Sequence, residues 1–183
     1  MAQTGAAYPF GLREVVLTPI LDSVLETLGT PKKLSASRTF TFTEAEEYVE
    51  LRGDDRLIIS RGMGPEVDWE LEGGGIDLDV YNIMFGGTLS NTGVTPNQVR
   101  TVRKLVTQSR PYFKVEGRAI NDGGGDQHAV VFRCRATSDV ESTFADGQFY
   151  MTQAEGKGFG SLAVASLDAL YDFIQNETPD TII

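Results

Sequence analysis

The sequence predicts a mainly β protein, a sandwich or barrel with one short packed helix. Apolar and polar residues alternate over short stretches, the pattern of strands with one buried face. Twenty glycines and seven prolines lie scattered between those stretches, as a fold with many turns requires. The clearest helical spacing, Ile76, Val80, Ile83 and Met84, is confined to one segment that Gly86-Gly87 ends. A chain of 183 residues fits one domain, 1–183, long enough to bury a core.

Residues 1–11 are small and polar, and an extended or mobile arm is expected there. Residues 12–17 read as a first strand that stops before Pro19. Residues 20–28 fit either a short helix ended by Gly29 or a surface connection. From 39 to 43 the chain alternates, with Phe40 and Phe42 inward. Strands at 48–51 and 56–60 flank Arg52-Gly53-Asp54-Asp55, a turn because glycine and aspartate tolerate positive φ. Arg52-Gly53-Asp54 also matches a cell-adhesion triplet, but the turn accounts for it. In the next strand Val67, Trp69 and Leu71 take one face, and Asp68, Glu70 and Glu72 the other.

Beyond the helix, 89–96 reads as a polar loop and 99–107 as strand or helix. Residues 112–119 form a strand, 121–125 a turn, and 127–140 the longest strand. Its inward set is Val130, Phe132, Cys134 and Ala136, with Val131 outward. A strand at 148–153, a flexible glycine turn at 156–160 and a strand or mixed segment at 162–174 follow, then a frayed tail at 176–183. The expected core therefore includes Phe40, Phe42, Trp69, Leu71, Val80, Ile83, Met84, Phe132 and Cys134.

The net charge of −10 argues against a general nucleic-acid-binding surface, which would be basic. Its distribution is uneven. Residues 44–79 hold twelve acids against three arginines, whereas 88–118 hold six bases against Glu116 alone. Opposite fields in one small domain favour association of copy with copy, with plain solubility as the alternative. The single cysteine excludes an internal disulfide framework and fits a reducing compartment, and no apolar run is long enough to span a bilayer. The start of the chain lacks the basic and apolar regions of a signal peptide.

No catalytic constellation emerges. His128 and Cys134 lie six apart on one strand, too far for a direct hydrogen bond, and read as a satisfied histidine and a buried thiol. A zinc site would lack further soft ligands, and Asp122–Asp126 lacks the spacing of a calcium loop. The glycines at 156–160 lack phosphate-loop spacing. The acids of one strand face could serve a glycosidase only within an aromatic cleft. The expectation is a protein that is not an enzyme and uses no cofactor or metal.

Several stretches together resemble a known family. They are Ser37-Arg38-Thr39-Phe40-Thr41-Phe42, the hairpin at Arg52-Gly53-Asp54-Asp55, the strand and helix from Trp69 to Phe85-Gly86-Gly87, and Pro111-Tyr112-Phe113-Lys114-Val115-Glu116-Gly117. Residues 136–141, Asp146-Gly147-Gln148-Phe149 and Leu170-Tyr171-Asp172-Phe173-Ile174 extend the likeness. The order of elements resembles the major tail (tail tube) protein of long, non-contractile-tailed bacteriophages, a relative by fold of the bacterial type VI secretion tube protein. The resemblance implies six-membered rings in which subunit sheets join into a continuous barrel, stacked as a hollow conduit for DNA. It also implies assembly in the bacterial cytoplasm, residence in the virion tail, and as partners other copies, the tape measure protein, the tail terminator and distal tail or baseplate proteins.

An acidic lumen would repel phosphates and let DNA pass without sticking. Asp68, Glu70 and Glu72 are the expected lumen residues, with Glu44, Glu46 and Glu50 as further candidates. Arg52, Asp54, Asp55, Arg56, Arg100, Arg103, Lys104 and Arg110 are expected at contacts between subunits or rings. Residues 1–11 and the 44–61 hairpin are expected to order on assembly. Two alternatives stay open: another phage structural protein, such as a tail terminator or capsid decoration protein, and an acidic β-sandwich module binding a small ligand or carbohydrate.

Overall fold

The computed structural model describes residues 7–182. Its strands are β1 (Pro9–Asp22), β2 (Thr27–Leu28), β3 (Lys32–Lys33), β4 (Ser37–Gly53) and β5 (Arg56–Gly74), followed by helix α1 (Leu78–Phe85). Then come β6 (Thr88–Thr92), β7 (Val99–Arg103), β8 (Phe113–Asn121), β9 (Asp126–Ala136), β10 (Met151–Phe159), a 3-10 turn (Val164–Ser166) and β11 (Tyr171–Asn176). The fold is mainly β. Nine strands form one sheet in the order β2-β1-β8-β9-β10-β5-β4, with β3 on β1 and β11 on β9, and β6-β7 pair apart. The path is open, because β2 and β4 are not bonded to each other.

The long strand β9 makes the sheet curl. Its C-terminal half pairs with β10 from Arg133 to Ala136, while its N-terminal half pairs with β11 from Asp126 to Val131. Two strands diverging from one edge set two layers face to face. Val67, Trp69 and Leu71 of β5 thereby meet Phe113 and Val115 of β8 and Val131 and Cys134 of β9 in one core. Trp69 packs edge-on against Phe113, with ring centroids 5.5 Å apart. Phe42 of β4 packs on Tyr171 and Phe173 of β11, at 5.1 and 5.4 Å.

Helix α1 adds Val80, Ile83, Met84 and Phe85 to the core. Asp77 caps it by accepting the amides of Asp79 (2.9 Å) and Val80 (3.4 Å). Gly86 ends it with φ 74°. Lys104 Nζ donates to the freed carbonyl of Phe85 at 2.6 Å, so a cation meets the negative end of the helix.

Several elements differ from the sequence expectations, each for a local reason. Phe132 is only half-buried and Val131 replaces it in the core. A bulge causes the swap: Phe113 pairs with Cys134 but Val115 with Val131, so β9 spends one extra residue and its parity flips. Phe40 and Phe42 are half-buried and pack against the core rather than within it. Ile76 precedes the helix and is 45% exposed. Strand β1 runs through Pro19 to Asp22, and a turn replaces the helix considered at 20–28. The polar stretch at 89–96 contains β6, paired in register with β7.

Glycines 156 and 158 lie inside β10 rather than in a turn, and the strand begins at Met151 instead of 148. A Cβ on Gly156 would come within 2.1 Å of the Arg135 carbonyl and 2.8 Å of the Trp69 ring. These glycines are present for close approach, not for turning. Of the expected N-terminal arm, residues 1–6 lie outside the described residues, and Pro9 already pairs with Asn121. In the expected frayed tail, the Asp180 amide is tied to Asp126 at 2.9 Å.

Candidate interaction surfaces

Pairing in register places the acidic face. Thr39, Thr41 and Thr43 of β4 stand opposite Glu72, Glu70 and Asp68 of β5, which stand opposite Gln153, Glu155 and Lys157 of β10. Asp68, Glu70 and Glu72 therefore share the face turned away from Trp69. Lys157 neutralises one end, bonding Glu66 and lying 3.5 Å from Asp68. Arg38 lies 3.9 Å from Glu72. Among the described residues Glu70 has no such cation, and it faces Glu155, a like-charge pair that weakens the sheet locally. Beside it a cleft of about 510 Å³ is lined by Glu70, Asp139, Glu141, Glu155, Phe149 and Tyr150.

The other three acids considered with that face lie elsewhere. Glu44 pairs with the inward Val67, which puts it on the opposite face, where it accepts from the Tyr171 hydroxyl. Glu46 likewise falls on the opposite face from Glu66 and accepts from Tyr48. Glu50 lies further out, bonded to Arg52 at 2.7 Å. Glu66, two residues before Asp68 on β5, and Glu155 of β10 join the acidic face instead, and only the β10 register reveals Glu155.

The second surface is an arm. Strand β10 stops pairing with β5 at Val67, and beyond that point β4 and β5 have only each other. Asp54 and Asp55 close the tip with φ 51° and 60°, as a two-residue hairpin turn demands. Val49, Leu51 and Ile59 share one face of this arm by pairing, a register shift puts Leu57 opposite Arg52 on the other face, and all four are more than half exposed. Arg56 flanks the tip. The sequence marked these stretches as strands, but alternation alone gave no sign that nothing covers them.

The basic residues expected at contacts have mostly internal partners. Arg100 bonds Asp79 and Asn91, and Lys104 caps α1. Arg110 donates to the carbonyls of Ala136 (3.0 Å) and Ser138 (2.6 Å) and lies over the Phe85 ring. Arg103, at the end of β7, is exposed.

A third cluster runs from exposed Lys33 into the interior at Asp126, His128 and Glu116. Lys33, Glu14, Arg118, Asp126, His128, Glu116 and Lys114 form an alternating chain of ion pairs 2.8–3.2 Å long. Both ring nitrogens of His128 face carboxylates, Nδ1 to Glu116 at 2.8 Å and Nε2 to Asp126 at 3.1 Å. Burial alone lowers the His128 pKa, but the two carboxylates outweigh it and hold the imidazole above its ordinary value. Burial raises Asp126, yet Asn176, the Asp180 amide and His128 together hold it below the usual range. Burial pushes the Cys134 thiol well up, which leaves it protonated and unreactive.

Among the described residues no group of three or more His, Cys, Asp or Glu could hold a metal ion. No helix among them is long and apolar enough to cross a membrane. Chemistry therefore does not single out a centre, and surfaces carry the functional argument. No protein-family model matches the chain, and no curated protein matches it in sequence.

Proposed function

We propose that this chain is a structural virion protein that polymerises, as stacked hexameric rings, into the tail tube of a long-tailed phage. The exposed β4–β5 arm carries the reading. An isolated two-stranded hairpin is marginal in water, and an apolar face on one marks an association surface. Beside it β4 presents a 17-residue free edge, which pairing with a neighbour's sheet would cover. Joined edges of this kind would make the ring barrel that the resemblance implies. The Asp68–Glu70–Glu72 face, extended by Glu155, would then line the lumen and repel passing DNA. Partners in this reading are other copies, the tape measure protein, the tail terminator and distal tail or baseplate proteins.

The test is assembly. Electron microscopy of the concentrated protein is expected to reveal rings or tubes about one subunit thick at the wall. A persistent monomer at high concentration rejects the proposal. The acidic cleft at Glu70 and Glu155 favours a second reading, a binding module for a small ligand. Saturable binding of such a ligand by a persistent monomer would select it.

A further inference from the structure

We infer that the end of the chain is a proton-gated latch: charged His128 steadies the carboxylate that holds residues 177–182, and loss of its proton frees them while the body stays folded. The carboxylate is Asp126, fully buried at the start of β9. Its Oδ1 accepts from Asn176 Nδ2 at 2.9 Å. Its Oδ2 accepts the Asp180 amide at 2.9 Å, and Arg118 Nε and His128 Nε2 lie 2.8 and 3.1 Å from the same atom. The chain end and the imidazole therefore meet on one oxygen. Gly125 admits the strap this closely, because a Cβ there would collide with the Asn176 carbonyl and the backbone of Glu177.

The strap is lightly held. Residues 177–181 are exposed, and the Thr181 amide turns back to the Asp180 carboxylate at 2.8 Å rather than to the body. A segment with so little burial opens at a fraction of the global stability.

The position of His128 makes its proton the control. Its two ring nitrogens face Glu116 and Asp126, and ionised carboxylates only accept. Imidazolium presents a proton to both sides, whereas the neutral ring keeps one. The shorter contact, 2.8 Å to Glu116, favours keeping it on Nδ1. The Nε2 lone pair then confronts Asp126 Oδ2, the oxygen beneath the Asp180 amide, and pushes the carboxylate from its place.

The other charged groups around the ring are matched among themselves. Lys114 bonds Glu116, and Arg118, opposite His128 in the β8–β9 ladder, lies between Asp126 and Glu14, which Lys33 of β3 also pairs. That is three cations against three carboxylates, which leaves the imidazolium as the unmatched charge. From β11 the ring meets uncharged Ile174, with exposed Asp172 one pair further along, and the strap carries Glu177 and Asp180. The latch is therefore closed below the ordinary histidine pKa of about 6.5 and opens as pH rises through the elevated value that Glu116 and Asp126 give His128.

Nuclear magnetic resonance on the full chain reads both sides of the latch. The His128 Cε1 proton follows the titration, and hydrogen exchange gives the protection of the Asp180 amide relative to an unstructured chain at each pH. That protection is expected to fall about tenfold as His128 loses its proton, an ordinary size for two coupled sites, while the amides of β8 and β9 keep theirs. Constant protection at Asp180 through the titration overturns the inference. A parallel loss in β8 and β9 also overturns it, because the chain would then be unfolding rather than releasing its end. His128→Gln is expected to abolish the pH dependence at Asp180, and its persistence in that variant overturns the latch.

Asp180→Pro tests the coupling in reverse and leaves the buried cluster untouched. It removes the amide from Asp126 Oδ2, so by reciprocity it is expected to lower the His128 pKa further than Asp180→Asn, which removes the same charge and keeps the amide. Equal values in the two variants overturn the coupling.

Discussion

Strand β5 passes through two environments, and its two halves make a controlled comparison. From Val67 to Leu71 it alternates buried and exposed residues, with Val67, Trp69 and Leu71 at 2% exposure or less. From Leu57 to Met63 it carries an equally apolar set, with Leu57, Ile58, Ile59 and Met63 all above 50%. The same backbone and similar composition give a core in one half and an open surface in the other. What differs is the third strand: β10 and the layer behind it cover the first half and stop at Val67. Apolar alternation thus reports that a strand face wants cover, and the fold decides whether the chain supplies it.

The largest expected effect breaks this comparison energetically. Trp69→Ala removes a ring packed on Phe113 and is expected to cost about 3–5 kcal/mol in urea unfolding. Ile59→Ala, of similar hydrophobic character, is expected to change the monomer by no more than about 0.5 kcal/mol. A loss of more than that at Ile59 would mean that the arm is covered within one copy. Next comes Gly156→Ala, expected to cost about 1–3 kcal/mol, because its Cβ would collide with the Arg135 carbonyl and press on Trp69.

A smaller effect is expected from pH. His128 is raised by Glu116 and Asp126, so its contribution is fully present below its ordinary pKa of about 6.5 and disappears as pH rises through the elevated one. Asp126 is depressed, so its contribution is present above its ordinary value near 3.8 and is lost as pH falls through the lowered one. Stability of the body should therefore peak between those limits, and His128→Gln should flatten the alkaline side, and the acid side in part because His128 also helps to lower Asp126. An unchanged alkaline slope in that variant would separate His128 from the effect. The smallest change is expected at Glu70→Gln, which relieves the pair with Glu155 and should stabilise the monomer by about 0.2–1 kcal/mol. Destabilisation there would mean that the carboxylates have a cation between them.

Elements with local causes were legible in the sequence. The helix follows from its apolar stripe and Asp77, and the arm's turn from two consecutive aspartates. The face shared by Asp68, Glu70 and Glu72 follows from strand parity. Features that depend on register were not legible. Phe132 lost its place to Val131 through a bulge in the pairing of β8 with β9. Glycines 156 and 158 looked like turn residues because nothing local reveals that Trp69 and Val131 press against them. Glu155 joined the acidic face, and Glu44 left it, for the same non-local reason. The anchoring of the turn after β1 depends on Glu26 meeting Ser161, 135 residues away in sequence.

The β8–β9 turn has a geometric consequence of its own. The Asp122 amide bonds the carbonyl of Tyr8, and Asp126 four residues later holds the Asp180 amide. The described backbone thus comes back to the corner where it set out, like a necklace lying beside its own clasp. A short tether could join those ends while the chain is reopened at Asp54-Asp55. Such a permuted protein would keep the body's pairings and turn the arm into two independent tips.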